Sequence, residues 1–209
     1  LYDVKESMLV PAAFHHESST EEMLSLFHGK QLSDTVIQHE ALHRSAIYNH
    51  YRINKKLDLL FKEYFPQADC IAGVATAGIP HGAILADALG LPFIYVRSKP
   101  KEHGLTNTIE GDLKHGERVL VVEDTISTGG SSLKAVEDLR AAGAEVVGMI
   151  AIYKYGFENA KKRFEDAGIT LKTLTSYDFL LHAAVEANYI SKDELSILNT
   201  WHKNPTEWK

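Results

Sequence analysis

The sequence predicts an α/β domain built on a doubly wound, mostly parallel sheet. Three observations carry that prediction. From Cys70 onward, short apolar runs alternate with longer amphipathic segments. The runs are apolar throughout rather than at every second residue, so both faces of each strand are buried, as in parallel sheets with helices on both sides. Small polar residues and glycines follow the runs, where open α/β sheets collect their ligands.

The elements follow in order. CIAGVAT (70–76) is a strand stopped by Gly78. The next stretch has Pro80 near its start and Gly90 just past its end, the asymmetry expected of a helix. PFIYVR (92–97) is a second strand, and the glycine-punctuated stretch from Ser98 to Gly116 has no period and reads as a long loop. RVLVVED (118–124) is a β-branched strand ending in two carboxylates. A helix runs from Ser131 to Ala142, with Leu133, Val136 and Leu139 on one face and Gly143 after it. EVVGMIAIY (145–153) is another strand. Phe157, Ala160, Phe164 and Ala167 recur at helical spacing, and TLKTLTS (170–176) closes the sheet. Ser191 and Glu194 form a capping box that opens a last helix through Leu195, Leu198 and Trp201.

Composition narrows the function classes. At 209 residues the chain fits one α/β domain or two small ones. With 44% hydrophobic and 24% charged residues it has the makeup of a globular protein, not of a disordered chain or a coiled coil. The net charge of −6 argues against a nucleic-acid partner. No apolar run approaches the roughly 18 residues of a membrane span, so no membrane partner is expected. The single Cys70 excludes an internal disulfide, and no secretory pattern opens the sequence. The expected location is the cytoplasm. Residues 1–66 differ in texture: they are irregular and rich in histidine.

The sharpest motif is VLVVEDTISTGGSS (119–132). A turn of small residues feeding a helix N-terminus offers backbone N–H groups, a positive dipole end and several hydroxyls, the makings of a phosphate cradle. It has no Gly-Lys-[Ser/Thr] and no G-x-G-x-x-G, so it is neither a Walker loop nor the dinucleotide fingerprint. Glu123 and Asp124 would repel a phosphate unless they serve something beside it. Sugar hydroxyls, or a divalent cation held through water, suit them. A phosphorylated sugar satisfies both halves. The competing reading is a solvated acidic pair followed by an ordinary Ser/Thr-capped helix. A second cluster, Arg97, Lys99, Lys101 and His103, lies within seven residues and is offset only by Glu102. Alone it reads equally well as a solvated charge run. Beside the cradle it suits a clamp for an anionic leaving group, with Gly104 and Gly111 allowing the loop to open and close.

The run 119–132 resembles the ribose-phosphate signature of the type I phosphoribosyltransferases, which use 5-phosphoribosyl 1-diphosphate (PRPP). VATAGIPHG (74–82) resembles that family's pyrophosphate loop. YVRSKPKEHGLTNTIEG (95–111) resembles the mobile catalytic loop of the family's orotate-using branch, and residues 151–181 resemble that branch's C-terminal part. The resemblance implies a PRPP-binding core over 67–209 and a small N-terminal hood over the base pocket within 1–66. It implies transfer of ribose 5-phosphate from PRPP to orotate, with orotate and PRPP as substrates and Mg²⁺ as cofactor. Lys101, His103, Glu123 and Asp124 would be catalytic. Arg97, Lys101 and His103 would contact the diphosphate, reaching into the neighbouring subunit of a homodimer. Thr76, Ala77 and Gly78 would form the pyrophosphate loop. Glu123 and Asp124 would hold the ribose hydroxyls, and Thr125, Ile126, Ser127, Thr128, Gly129, Gly130 and Ser131 the 5-phosphate, Ser127 also touching orotate. The Mg²⁺ would be held by substrate oxygens and water, with Asp124 the one side chain considered as a ligand. The family often has a second Lys directly after the Arg; Ser98 stands there, which leaves the part of Lys99 open.

The N-terminal part departs from the family. HRSAIYNHYRIN (43–54) matches at Ser45, Ile47, Tyr48 and Arg52 but not at His43, Arg44 or Ala46. Two alternatives therefore stand: transfer to another nucleobase, and a non-catalytic PRPP sensor, against which the retained loop cations argue. His39-Glu40-Ala41-Leu42-His43 also matches the zinc-peptidase pattern H-E-x-x-H, but no third ligand stands at a recognisable spacing.

Overall fold

A computed structural model describes residues 52–97 and 108–205. Numbered over these residues, α1 covers 52–64. Then come β1 (Cys70–Val74), α2 (Gly78–Leu89), β2 (Phe93–Val96), β3 (Ile109–Glu110), β4 (Arg118–Ile126) and α3 (Gly130–Ala141). The chain continues through β5 (Glu145–Lys154), α4 (Glu158–Asp166), β6 (Leu171–Ser176), α5 (Tyr177–Glu186) and α6 (Lys192–Lys203).

The six strands form one sheet in the order β3-β2-β1-β4-β5-β6. Every pairing is parallel except β2 with β3. Helices cover both faces, as the apolar strands require. On one face Leu57 and Phe61 of α1, with Phe65, and Leu85 of α2 pack against Ile71, Leu120, Val122 and Ile150. On the other, Val136 and Leu139 of α3 and Phe164 of α4 pack against Ala72, Val119, Val121 and Met149. Val119, Leu120, Val121 and Val122 are all fully buried, which places β4 at the centre of both layers. From β1 the chain winds outward to β2, then returns to β4 on the other side of β1 and winds the opposite way. The reversal lies between β1 and β4, so the crevice at their carboxyl ends is where this topology offers a ligand site.

The opposite ends of the same two strands are pinned. Arg118 Nε and Nη2 donate to Asp69 Oδ2 at 2.8 Å and Oδ1 at 2.7 Å. This two-point guanidinium contact holds the Asp69 carboxyl below its ordinary range.

Several boundaries differ from the sequence-based expectation. The strand expected over 118–124 runs on to Ile126, because β5 is long enough to pair with it: Thr125 stands opposite Tyr153 and Ile126 opposite Lys154. Glu123 and Asp124 therefore lie inside the strand rather than at its end. The loop expected over 98–116 contains β3, which pairs Glu110 with Tyr95 and Ile109 with Val96. α2 and α3 begin at Gly78 and Gly130, slightly earlier than Pro80 and Ser131 suggest. α5 was not expected. It starts directly where β6 stops, with Ser176 Oγ accepting the Phe179 N–H at 3.5 Å. The capping box of Ser191 and Glu194 is present at the start of α6. Among the described residues no helix is long and apolar enough to cross a membrane.

Candidate active site

The site is assembled where β1 and β4 end side by side. After Val74, the residues Ala75, Thr76 and Ala77 turn the chain into α2, and the Ala75–Thr76 peptide is cis. α2 begins at Gly78, directly on β4. A Cβ at Gly78 would lie 2.5 Å from the Val122 carbonyl oxygen and 3.1 Å from Glu123 Oε2. Only glycine permits this approach, since the nearest obstacle is backbone. The turn expected to hold a diphosphate is thus in contact with the acidic pair expected to hold a ribose. Thr76 and Ala77 are exposed, and Gly78 is buried beneath them.

Glu123 is 6% exposed. Its Oε1 accepts a hydrogen bond from Ser132 Oγ at 3.1 Å. Burial, together with the neighbouring Asp124 carboxylate, pushes the Glu123 carboxyl up to about 7, while the Ser132 hydroxyl and the Asp124 N–H pull the other way. Asp124 itself is half-buried. A buried carboxyl whose ionisation is disfavoured by the carboxylate next to it is a natural seat for cationic or hydroxylic partners. The pair also fits a magnesium ion that keeps most of its water and substrate ligands. Among the described residues no group of three or more metal-ligating side chains is present, so no protein cage for such an ion is formed there.

Beyond Ile126 the chain turns through Ser127, Thr128 and Gly129 into α3. Gly129 has φ +76° and forms the cap of the helix, and a Cβ there would lie 2.7 Å from the Phe164 ring. An ordinary Ser/Thr-capped helix would place a hydroxyl on the first-turn amides. Here no side chain caps α3 and no acidic residue stands in its first turn. Its opening N–H groups and positive dipole end are therefore offered outward. Ser127, Thr128, Gly130 and Ser131 are all exposed around them. This is the geometry of an anion cradle.

Arg97 leaves the carboxyl end of β2. Its N–H donates to the Thr108 carbonyl at 2.8 Å, and Nη1 lies 3.4 Å from Glu110 Oε1. Ala75 N–H donates to the Val96 carbonyl at 2.9 Å, so Arg97 stands beside the turn that carries Thr76. Lys99, Lys101, His103, Gly104 and the H-E-x-x-H segment at 39–43 lie outside the described residues. The structure thus brings together Thr76, Ala77, Gly78, Glu123, Asp124 and the stretch 125–131, with Arg97 alongside. It adds Ser132, 1% exposed, whose hydroxyl serves Glu123 rather than a ligand. The motif contained Ser132, but nothing in its spacing separated a ligand-facing serine from a buried one.

Comparison with known proteins agrees with this geometry. The sequence profile described as the phosphoribosyl transferase domain matches residues 43–180. The orotate phosphoribosyltransferase of Cytophaga hutchinsonii is 57% identical over 150 residues, 72% of each chain. The crystal structure of orotate phosphoribosyltransferase from Aeropyrum pernix superposes with a TM-score of 0.59 at 31% identity, covering 68% of this chain and 77% of that one. The Mycobacterium tuberculosis orotate phosphoribosyltransferase, solved in complex with PRPP, gives a TM-score of 0.51 at 28% identity, covering 61% of this chain and 73% of that one.

Proposed function

This chain belongs to the phosphoribosyltransferase family, and from that premise we propose that it transfers ribose 5-phosphate from PRPP to orotate. The products are orotidine 5′-monophosphate and diphosphate, and the reaction is a step of pyrimidine synthesis. The enzyme is a pentosyltransferase. The bond from the ribose anomeric carbon to the diphosphate oxygen breaks, and a bond from that carbon to the orotate ring nitrogen forms. The observation that carries the reading is the contact of Gly78 with Glu123, directly beside an uncapped helix N-terminus. It supports reading the Thr76 turn, the acidic pair and the start of α3 as one crevice for diphosphate, ribose and phosphate.

In this reading the 5-phosphate rests on the first-turn amides of α3, with the hydroxyls of Ser127, Thr128 and Ser131 around it. Glu123 and Asp124 take the ribose hydroxyls and steady the positive charge that grows on the sugar as the diphosphate leaves. Ser132 fixes the Glu123 carboxyl by its hydrogen bond. Thr76, Ala77 and Gly78 hold the departing diphosphate, and Ser127 borders the base. Mg²⁺, when bound, neutralises diphosphate charge and makes it a better leaving group. Asp124, with Glu123 behind it, would hold the hydrated ion. Arg97, Lys101 and His103 supply cations to the diphosphate, with the loop of 97–111 completing the neighbouring site of a homodimer. The placement of Arg97 beside the Thr76 turn supports its part at the diphosphate; the reach of the loop into a neighbouring subunit rests on the family resemblance. The cytoplasm is the expected place of work.

The test is a PRPP-dependent assay with Mg²⁺ across orotate, uracil and the purine bases. Orotidine 5′-monophosphate is the expected product. Transfer to a different base would move the acceptor assignment, and no PRPP consumption with any base would remove the enzymatic reading.

A further inference from the structure

The phosphate-binding turn is held from beneath by a helix that the mechanism above does not use. Two consecutive residues of α4 reach it. Arg163 Nη1 donates to the Thr128 carbonyl oxygen at 3.2 Å. The same nitrogen lies 3.7 Å from where a Cβ on Gly130 would stand. The next residue, Phe164, is 4% exposed and lays its ring against Gly129, only 2.7 Å from the position of a Cβ there. Thr128, Gly129 and Gly130, the three residues that open α3, are thus each bounded by the pair Arg163 and Phe164.

This arrangement has a chemical consequence. A turn rich in glycine and small residues has little intrinsic preference for one backbone shape. To receive a phosphate on several amides at once it must already point them inward, or lose affinity to the ordering. Phe164 fixes the turn by contact alone. Arg163 fixes it by directing the Thr128 carbonyl, and hence the plane of the following peptide and its N–H, since the peptide unit is rigid. The Thr128 carbonyl is turned toward a cation. The guanidinium also has further donors and a fixed positive charge close to the cradle.

We infer that Arg163 is a positioning residue for the phosphate cradle: it holds the turn of Thr128, Gly129 and Gly130 in its anion-binding shape before substrate arrives. The inference rests on the reading of that turn as the seat of the 5-phosphate. It assigns Arg163 no contact with the reacting atoms. Its loss therefore weakens binding of the phosphorylated sugar while leaving the chemical step intact.

The test compares wild type with Arg163→Met, which keeps bulk without donor or charge, and Arg163→Lys, which keeps both. Three readouts are used on the full chain: calorimetric affinity for ribose 5-phosphate, hydrogen exchange of the 127–132 amides in the ligand-free protein, and steady-state kinetics with PRPP and orotate. Arg163→Met should bind ribose 5-phosphate about tenfold more weakly, the scale of one lost charge-assisted hydrogen bond. It should raise the KM for PRPP by a similar factor, with kcat and the KM for orotate within about twofold of wild type. Exchange at 127–132 should quicken several-fold, with exchange in β1 and β5 unchanged. Arg163→Lys should recover most of both effects. Unchanged exchange at 127–132 in Arg163→Met would overturn the inference, as would a fall in kcat at constant KM. If wild type fails to bind ribose 5-phosphate, the reading of the site falls, and the exchange comparison still decides whether Arg163 holds the turn.

Discussion

Glu123 shows how one residue links burial to function. Its carboxyl is enclosed by α2, β4 and α3, and its Oε1 accepts from the Ser132 hydroxyl. A buried carboxylate beside another carboxylate is costly to ionise, which is why its pKa stands near 7 rather than at the ordinary 4.5. The folded chain therefore holds this proton more tightly than the unfolded chain. The stability that follows is fully present below about pH 4.5 and is lost as the pH rises through about 7. Glu123→Gln, neutral at every pH and still able to accept from Ser132, is not subject to that loss. Its thermal stability relative to wild type should rise between pH 5 and pH 8, by on the order of 1–3 kcal/mol. Melting curves across that range check this; a difference independent of pH would contradict it. In the proposed reaction it is the ionised Glu123 that serves the ribose, so turnover of the variant should fall most above about pH 7 and approach wild type at lower pH, where the wild-type carboxyl is also neutral. On that proposal the wild-type residue gives up stability at neutral pH to keep a negative charge where the sugar becomes positive.

At the scale of elements, the site depends on how closely α2 lies on β4. Gly73 and Gly78 set that distance: a Cβ on Gly73 would come within 2.9 Å of the Gly78 carbonyl oxygen and of Ile79 Cα. Gly78→Ala forces a methyl to within 2.5 Å of the Val122 carbonyl oxygen, so the first turn of α2 must lift away. The expected cost is about 1–3 kcal/mol of stability, the usual range for overpacking. PRPP affinity should fall as well, because the Thr76 turn moves with the helix. Denaturant titration and PRPP-dependent kinetics measure both; wild-type values in each would show that the contact is not needed. Much at this scale was legible from residues alone. The runs 70–76, 92–97, 118–124, 145–153 and 170–176 announced β1, β2, β4, β5 and β6, and the pair Ser191 and Glu194 announced α6. β3 was not legible, because two residues show no period and its pairing with β2 depends on Arg97 and Thr108 meeting across the loop. α5 was missed because no turn residue separates it from β6: Ser176 ends the strand and caps the helix at once. Arg163 gave no signal either. In sequence it belongs to the charged, exposed side of α4, and only the fold reveals that this side meets Thr128.

At the scale of the whole molecule, the sheet order explains why distant stretches of sequence converge. Because the winding reverses between β1 and β4, residues 74–78 and 123–131 meet although more than forty residues separate them. The Arg118 and Asp69 contact joins the far ends of the same two strands, and their parallel pairing from Cys70 with Val119 to Gly73 with Val122 brings their carboxyl ends side by side. The α3 N-terminus, the acidic pair and the Thr76 turn then lie together at the carboxyl ends of these strands, which is the basis for proposing them as the seats of the PRPP phosphate, ribose and diphosphate. The base pocket, by contrast, was expected from resemblance alone around 43–54, where the sequence departs from the family pattern. A phosphorylated sugar could be argued from the residues 119–132 themselves, whereas the acceptor rested on resemblance. The most direct measurement is a crystal structure of the full chain grown with PRPP and Mg²⁺. The 5-phosphate should sit on the opening amides of α3, with the ribose hydroxyls on Glu123 and Asp124 and the diphosphate against Thr76, Ala77 and Gly78. PRPP bound elsewhere, with the β4–α3 turn unoccupied, would contradict the assignment.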